Sequence, residues 1–485
     1  MLLKLELDDN SRGAPMPTEC SSEQLEFQGL GSRRVIAMFD AGHVSSDGGA
    51  LLLREVELRT GILQRFGACF TDYRSPLRRE HSIVELLSQR IFGLCLGYED
   101  LNDHDRLRID PVLAVACGKV DPTGQSRARV RDRGRPLASP STLNRLELTG
   151  EAASRYKKIV AAPKAIERFF VDEFIDSQMD GVPERLVLDI DPSDIELHGM
   201  QEGRFYHGYY GHYCYLPLYI FIGQALVYCG LRQANIDGCA GTTDVLEWLV
   251  PMLRAKWPDV EIVIRADSGF AREAIFAWCE EHHVQYVIGL ARNERLTTMI
   301  ASALDDAAAE HERTGRAARR FADLTYRTRS SWSRSRRVVA KAEQLPGKSN
   351  PRFVATSYTP QQCSARELYE QEYCARGEME NRIKEYQLDL FGDRASAGTL
   401  RANQLRLWEA GVAYLLICEL RAVGLAGTEF ERAQAGTIRT RLMKVGALIT
   451  VSVRRIRVAL SSSFPQKNLF FRIMSHLNDR YRVPI

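Results

Sequence analysis

Hydrophobic positions change their period along this chain. From about residue 50 to 170 they recur at helical spacing, in GALLLREVELRTGILQRF, HSIVELLSQRIFGLCLG and PSTLNRLEL. After residue 180 the period becomes two. In RLVLDIDPSD (185–194), Leu186, Leu188 and Ile190 alternate with Val187, Asp189 and Asp191, which predicts a strand. The uncharged run YCYLPLYIFIGQALVYCGL (213–231) is nearly long enough to cross a bilayer. Pro217, Gly223 and Gln224 interrupt it, so two strands joined at Gly223 and Gln224 are expected instead. A helix follows in TTDVLEWLVPMLRAKW, with a kink expected at Pro251. Then come a strand in EIVIRADSG, a helix in REAIFAWCEEHH and a strand in VQYVIGLA.

That order is β-β-β-α-β-α-β. Three successive strands suit an antiparallel meander, and a right-handed crossover then returns a parallel strand beside the first. The predicted fold class is α/β, with a ribonuclease-H-like core built on a mixed sheet. Nine arginines between Arg313 and Arg337 face one acid, Asp323, and the β-rich runs RRVVAKAEQL and RFVATSY follow. This predicts a basic, β-rich insertion over 296–370, dividing the core into 176–295 and 371–425. Helical spacing resumes near 376, and GTLRANQLRLWEAGVAYLLICELRAV is apolar nearly all round its second half, as a core helix is. A mainly helical N-terminal region is expected over 1–175, beginning with a loosely held polar leader at 1–34. A basic C-terminal region follows over 426–485, where ALITVSVRRIRVALSSSF alternates arginine with Val and Ile as a strand or hairpin.

Composition adds limits. Hydrophobic residues at 45% and charged residues at 26% across 485 positions suit two or three packed units. The net charge of +3 announces no partner by itself, so the placement of charge matters more. Eleven cysteines without a CxxC pair argue against a zinc ribbon and fit a reducing, cytoplasmic setting. The start, MLLKLELDDNSRG, lacks the apolar stretch of a signal peptide, and no membrane association is expected. QSRARVRDRGRP reads as an exposed basic loop, with Arg127, Arg129, Arg131, Arg133 and Arg135 against one aspartate. The helix expected after it presents Asn144 and Arg145. Loop and helix together suit phosphate contact and base reading, and a solvated loop with an ordinary helix suits the pattern equally.

The chemistry centres on acids within apolar strands. Asp189 and Asp191 share one face, and an unpaired buried carboxylate is costly. With the crossover expected above, EIVIRADSG brings Asp267 beside them. Two or three clustered carboxylates need a counter-charge. A hard divalent ion, Mg²⁺ with Mn²⁺ as a substitute, supplies it, and two such ions would serve an in-line displacement. The helix at 376–390 offers a third acid.

YCARGEMENRIKE, in that helix, resembles the glutamate-bearing signature of DDE transposases from bacterial insertion sequences. Tyr373, Arg376 and Glu380 fall on its spacing, while Gln387 stands where the wider pattern has lysine. FDAGHVSSDGGALLLREVE, GYEDLNDHDRLR, STLNRLELT, HGMQEGRFYHGYYGHYCYLPLYIF and RADSGFAREAIFAWCEEHHVQYVIGLARNERL are similar to the 1380 group of these elements, over about 37–425. The resemblance implies that Asp191, Asp267 and Glu380 are the catalytic, metal-holding acids. Asp191-Pro192-Ser193 has the form of the first motif, and Asp189 is the close alternative. It also implies hydrolysis at each transposon end, then attack of the freed 3′-hydroxyl on target DNA in a cut-and-paste reaction. Tyr373 and Arg376 would steady phosphates. The implied partners are duplex DNA with terminal inverted repeats, target DNA and a second copy of the chain pairing two ends, near the bacterial nucleoid.

Other readings compete. LVLDIDPS approximates DxDx[TS], the first motif of haloacid-dehalogenase-like phosphatases, with Asp189 as nucleophile and Asp191 as general acid. A DNA-end-binding protein without catalysis is a third reading. Asp267 also suits a helix cap, and Glu380 an ordinary solvated helix position. His198, His207 and His212, among Tyr206, Tyr209, Tyr210 and Tyr213, lack regular zinc spacing and suit base stacking or packing. Trp332 is either a wedge for a DNA end or a packed tryptophan.

Overall fold

The strand expected at 185 runs from Arg185 to Pro192 inside a nine-stranded mixed sheet. The computed structural model describes residues 24–178 and 181–481. On one side of this strand lies Leu218–Ile222, antiparallel, followed by Ala225–Gly230. Gly223, with φ of 58°, supplies the left-handed turn between them that L residues resist. On the other side Glu261–Ala266 runs parallel, with Arg265 opposite Asp189 and Ala266 opposite Ile190. Gln285–Leu290 is the next parallel neighbour.

The sheet then continues. Arg352–Thr356, Arg336–Leu345 and Ala318–Tyr326 follow in that order, each antiparallel to its neighbour. The stretch expected as a separate β-rich insertion therefore extends the main sheet, because the Gln285–Leu290 strand offers an open edge and Arg352–Thr356 pairs with it. Two helices that the pattern did not announce, Glu294–Met299 and Ala301–Thr314, precede these strands.

Alternation divides the sheet into two unlike faces. Leu186, Leu188, Ile190, Ile220, Ile262 and Ile264 form one apolar core with residues of the Thr242–Lys256 and Glu273–Glu281 helices. The former helix runs through Pro251. The opposite face carries Asp189 and Asp191, with Phe221 and Tyr219 as their cross-strand partners. Tyr386 and Tyr414 pack edge-on against Tyr219 and Phe221, so the chain after residue 365 covers this face.

The expected core helix is Leu400–Glu419, buried on most sides. It shares one apolar core with Ala50–Thr60, Ile62–Ala68, Ile83–Leu96 and part of Pro163–Ser177. The N-terminal helices are thus not a unit with a core of their own. Ile83–Leu96 starts with a reciprocal cap, in which Ser82 Oγ accepts from the Glu85 amide and the Glu85 carboxylate from the Ser82 amide.

Of the expected polar leader, residues 1–23 lie outside the described residues. Gln24–Leu30 and Arg33–Met38 instead pair as an exposed hairpin. The C-terminal basic hairpin is Ala447–Val451 with Ile456–Leu460, joined by His43–Ser45, and Arg454, Arg455 and Arg457 are exposed on it. Among the described residues no helix is long and apolar enough to cross a membrane.

Candidate carboxylate site and nucleic-acid interface

The two acids of the first strand have different surroundings. Asp189 is 1% exposed and takes both arms of one guanidinium, Arg265 Nε at 2.5 Å and Nη2 at 2.8 Å. Burial raises its pKa, and Arg265 pulls the other way. The parallel register makes the pair, since residues opposite one another in adjacent parallel strands point to the same face. A metal was the expected answer to what neutralises these acids; for Asp189 the answer is an arginine. That also removes Asp189 as a phosphatase nucleophile, because its oxygens are buried and engaged.

Asp191 lies one pleat further, where the strand leaves the sheet interior. One more step of the same parallel register brings Asp267 alongside it. Asp267 ends its strand by capping a short turn, its Oδ1 accepting from the Gly269 amide at 2.8 Å. Asp267 was expected to cap the helix starting near Arg272; it caps the turn Ser268–Phe270 instead, and the helix Glu273–Glu281 begins at Arg272 without a side-chain cap. Glu380 comes from the Gly377–Lys384 helix. Arg376 joins the two remaining acids, with Nη1 at 3.3 Å from Asp191 Oδ1 and Nη2 at 2.8 Å from Glu380 Oε1. Burial raises the Asp191 carboxyl to about 7 against the pull of Arg376, and the charges of Asp267 and Glu380 add to the rise.

The segment bearing Tyr373, Arg376 and Glu380 is irregular. Between Ala365 and Asp389 it passes through α-helix, a π-helical stretch at Leu368–Tyr373, a 3₁₀ turn, α-helix again and a second π-helical stretch at Glu385–Asp389. Such insertions shift the phase of a helix and re-aim its side chains. Two contacts seat this one on the sheet. Arg265 Nη1 donates to the Glu372 carbonyl at 2.7 Å, and the Glu372 carboxylate takes both Nη atoms of Arg185 at 3.0 and 2.7 Å. Beside them Tyr373 lies over Gly289, where a Cβ would stand 2.5 Å from the phenol oxygen and 3.0 Å from the Ser268 nitrogen. Gln387 is buried and donates to the Asp194 carbonyl at 3.1 Å, so it braces the loop after Asp191.

Among the basic residues, Arg129, Arg131 and Arg133 are exposed. Arg127 is not free in the same way: it pairs with Glu80 at 3.1 Å and donates to the Pro136 carbonyl, holding the base of the loop. The expected helix is Pro140–Glu147, with Arg145 exposed and Asn144 half-buried. Its last residue, Glu147, is buried between Arg90 at 3.1 Å and Arg406 of the core helix at 2.7 Å. Trp332 is 3% exposed and packed edge-on against Phe276 and Tyr326. The wedge reading fails for it, because its faces are covered.

Among the described residues, no three His, Cys, Asp or Glu side chains are gathered closely enough to hold an ion as they stand. The donor set nonetheless fits a hard divalent cation in kind. It is all carboxylate oxygen, on two strand ends and one helix, and it is electrostatically unsatisfied at Asp191. Arg376 occupies the space between two of the three. Sequence reasoning missed Arg265, Glu372 and Gly289. The signal for Arg265 was present, as a lone arginine two residues before Asp267 in an apolar strand, on the face where Asp189 needs a partner.

A family model described as "Transposase DDE domain group 1" matches residues 27–481. No curated protein matches the chain.

Proposed function

The chain belongs to the DDE transposases, and from that membership we propose that Asp191, Asp267 and Glu380 are its catalytic acids, cutting DNA at the ends of a mobile element. The observation that carries this reading is Arg376, whose one guanidinium reaches both Asp191 and Glu380 on the sheet face that bears Asp267. Two carboxylates from distant parts of the chain thus share one cation. We assign Asp189 a positioning role, since Arg265 already satisfies it.

Asp191, Asp267 and Glu380 would hold Mg²⁺ or Mn²⁺, as two ions. Bound there, the metal would supply an activated hydroxyl and charge stabilisation of the leaving oxygen. The chain's own residues have separable tasks. Arg376 and Tyr373 hold phosphates beside the scissile bond. The braces at Glu372 and Gln387 keep helix and strand in register. The reaction is cut-and-paste transposition, with hydrolysis at each end and transfer of the 3′-hydroxyl to target DNA. We read the five main-sheet strands between Arg185 and Leu290 as a ribonuclease-H-like core, the element as one of the 1380 group, and 1–175, 176–295, 296–370, 371–425 and 426–485 as functional regions. DNA contacts are assigned to Arg129, Arg131, Arg133, Asn144 and Arg145, with two copies of the chain pairing two ends near the nucleoid.

The test is cleavage of a labelled duplex bearing the element's own end, in Mg²⁺, with binding measured alongside. Asp191→Ala, Asp267→Ala and Glu380→Ala should bind and not cut. Acid variants that cut like wild type would sink the triad. A wild type that binds the end and never cuts would point to an end-binding protein.

A further inference from the structure

Between Asp191 and its antiparallel partner strand the chain makes a long detour. Residues 193–217 build a small three-stranded sheet from Ile195–Glu196, Phe205–His207 and His212–Tyr215. Its base is tied down. His212 Nε2 meets Asp194 Oδ2 at 2.7 Å, Tyr215 donates to the Glu202 carbonyl at 2.5 Å, and the Glu202 amide donates to the Gly398 carbonyl at 2.9 Å.

Its tip is aromatic: Tyr210 packs inward against Cys214, Leu216 and Ala234, and the outer rings face solvent. Tyr209 is 86% exposed and Tyr206 59%, with Phe205 and Tyr213 also exposed. The Arg204 guanidinium lies 3.9 Å from the centre of the Tyr213 ring, and Tyr206 meets Tyr213 edge-on at 5.7 Å. From Phe205 to Tyr215 there is no carboxylate, so nothing on the tip repels a phosphate chain. Tyr210, within the same turn, stacks on His212, which pairs with Asp194 three residues after Asp191, so the turn adjoins the strand end that carries the acids. The register puts Tyr206 and Tyr213 on one face of this small sheet and His207 and His212, with Tyr210 against them, on the other, so rings line both faces.

We propose that this aromatic flap is a stacking platform for unpaired nucleobases of the DNA strand lying at the carboxylate site. The inference rests on the reading of the chain as acting on DNA ends, and adds a base-binding surface to it. A phosphodiester can reach acids on a sheet edge more readily when the bases beside it leave the duplex stack. Ring faces then accept any base, and an arginine already stacked on one of them adds cation–π attraction and a phosphate contact.

The full-length protein is tested in EDTA by fluorescence anisotropy. The probes are a thymidine strand of about 20 nucleotides, an abasic strand of equal length and a blunt duplex. Wild type should prefer the thymidine strand to the abasic one. Tyr206→Ala with Tyr209→Ala should weaken thymidine-strand binding about tenfold, the fold-change matching ~1.4 kcal/mol of lost stacking, and leave the other two probes unchanged. Tyr206→Phe with Tyr209→Phe should keep the preference. A wild type indifferent to bases, or an alanine variant that keeps the preference, overturns the proposal, as does a variant altered only in oligomeric state. Asp267→Ala should keep the preference in EDTA and lose cutting in the separate Mg²⁺ cleavage assay; if it still cuts there, the triad fails and the platform stands.

Discussion

Arg265→Met separates the two acids of the first strand. The substitution nearly keeps the length of the side chain and removes the guanidinium that takes both oxygens of Asp189. A carboxylate with 1% exposure and no partner will take up a proton rather than stay charged. From an unfolded pKa near 3.9, that costs at most about 4 kcal/mol at pH 7 and about 1.5 kcal/mol at pH 5, less what the raised Asp189 carboxyl already costs the wild type. The sign follows from a folded pKa raised above the unfolded one: the deficit is small in acid and grows as pH rises. The value at neutral pH agrees with the ~3–5 kcal/mol found when one member of a buried pair is removed. With a urea slope of about 3 kcal/mol per molar, the unfolding midpoint should fall by roughly 1.3 M at pH 7 and about 0.5 M at pH 5. Tryptophan fluorescence follows the transition. Asp189→Leu with Arg265→Met should recover most of the loss. A deficit equal at both pH values, or below about 0.5 kcal/mol, would refute the pairing argument. Calorimetry with Mn²⁺ completes the separation: Asp191→Asn should lose binding, whereas Asp189→Asn should keep it.

Gly289→Ala should lower end cleavage by displacing Tyr373, whose phenol oxygen would stand 2.5 Å from the added Cβ; an unaffected variant would show that Tyr373 does not need its present seat. Arg129→Ala and Arg133→Ala should each reduce the slope of log affinity against log salt by about 0.9, as one phosphate contact does, and an unchanged slope removes the loop from the interface. Glu409, wholly buried with Arg90 at 3.7 Å, is pushed up to about 8 by burial and by Glu147, against the pull of Arg90 and Arg406. A raised carboxyl contributes stability in acid that is lost as pH climbs to about 8, so Glu409→Gln should be the more stable protein at pH 8 and show a flatter stability profile from pH 5 upward. Parallel profiles for the two proteins would exclude the effect.

Much of the sheet was legible because its signals are local. Alternation marked the strand at 185, and Gly223 with Gln224 marked the hairpin turn. The handedness of crossovers brought EIVIRADSG beside Asp189. What escaped depended on partners distant in sequence. The strands after Ala318 looked like strands, yet nothing in their period says that they add to the Gln285–Leu290 edge. Helical spacing near residue 90 does not reveal that Arg90 and Arg406 share Glu147. At the site, spacing and resemblance selected the three acids, while the loop arginines looked alike in sequence. Only the fold shows Arg127 bound to Glu80 and its neighbours facing solvent. Trp332 illustrates the same limit, since an aromatic ring in a basic run reads identically whether it is exposed or packed.

The shared core of the N-terminal helices and Leu400–Glu419 leaves no swivel between the helix carrying Asn144 and Arg145 and the sheet carrying the acids. If that helix grips DNA, the molecule works as a gauge. The number of base pairs between the gripped step and the severed bond is set by protein dimensions rather than by a mobile arm. Adding one base pair between them would turn the bond about a tenth of a helical turn away from the acids. An element served by this protein must therefore keep that spacing constant at both ends, even where the intervening bases drift.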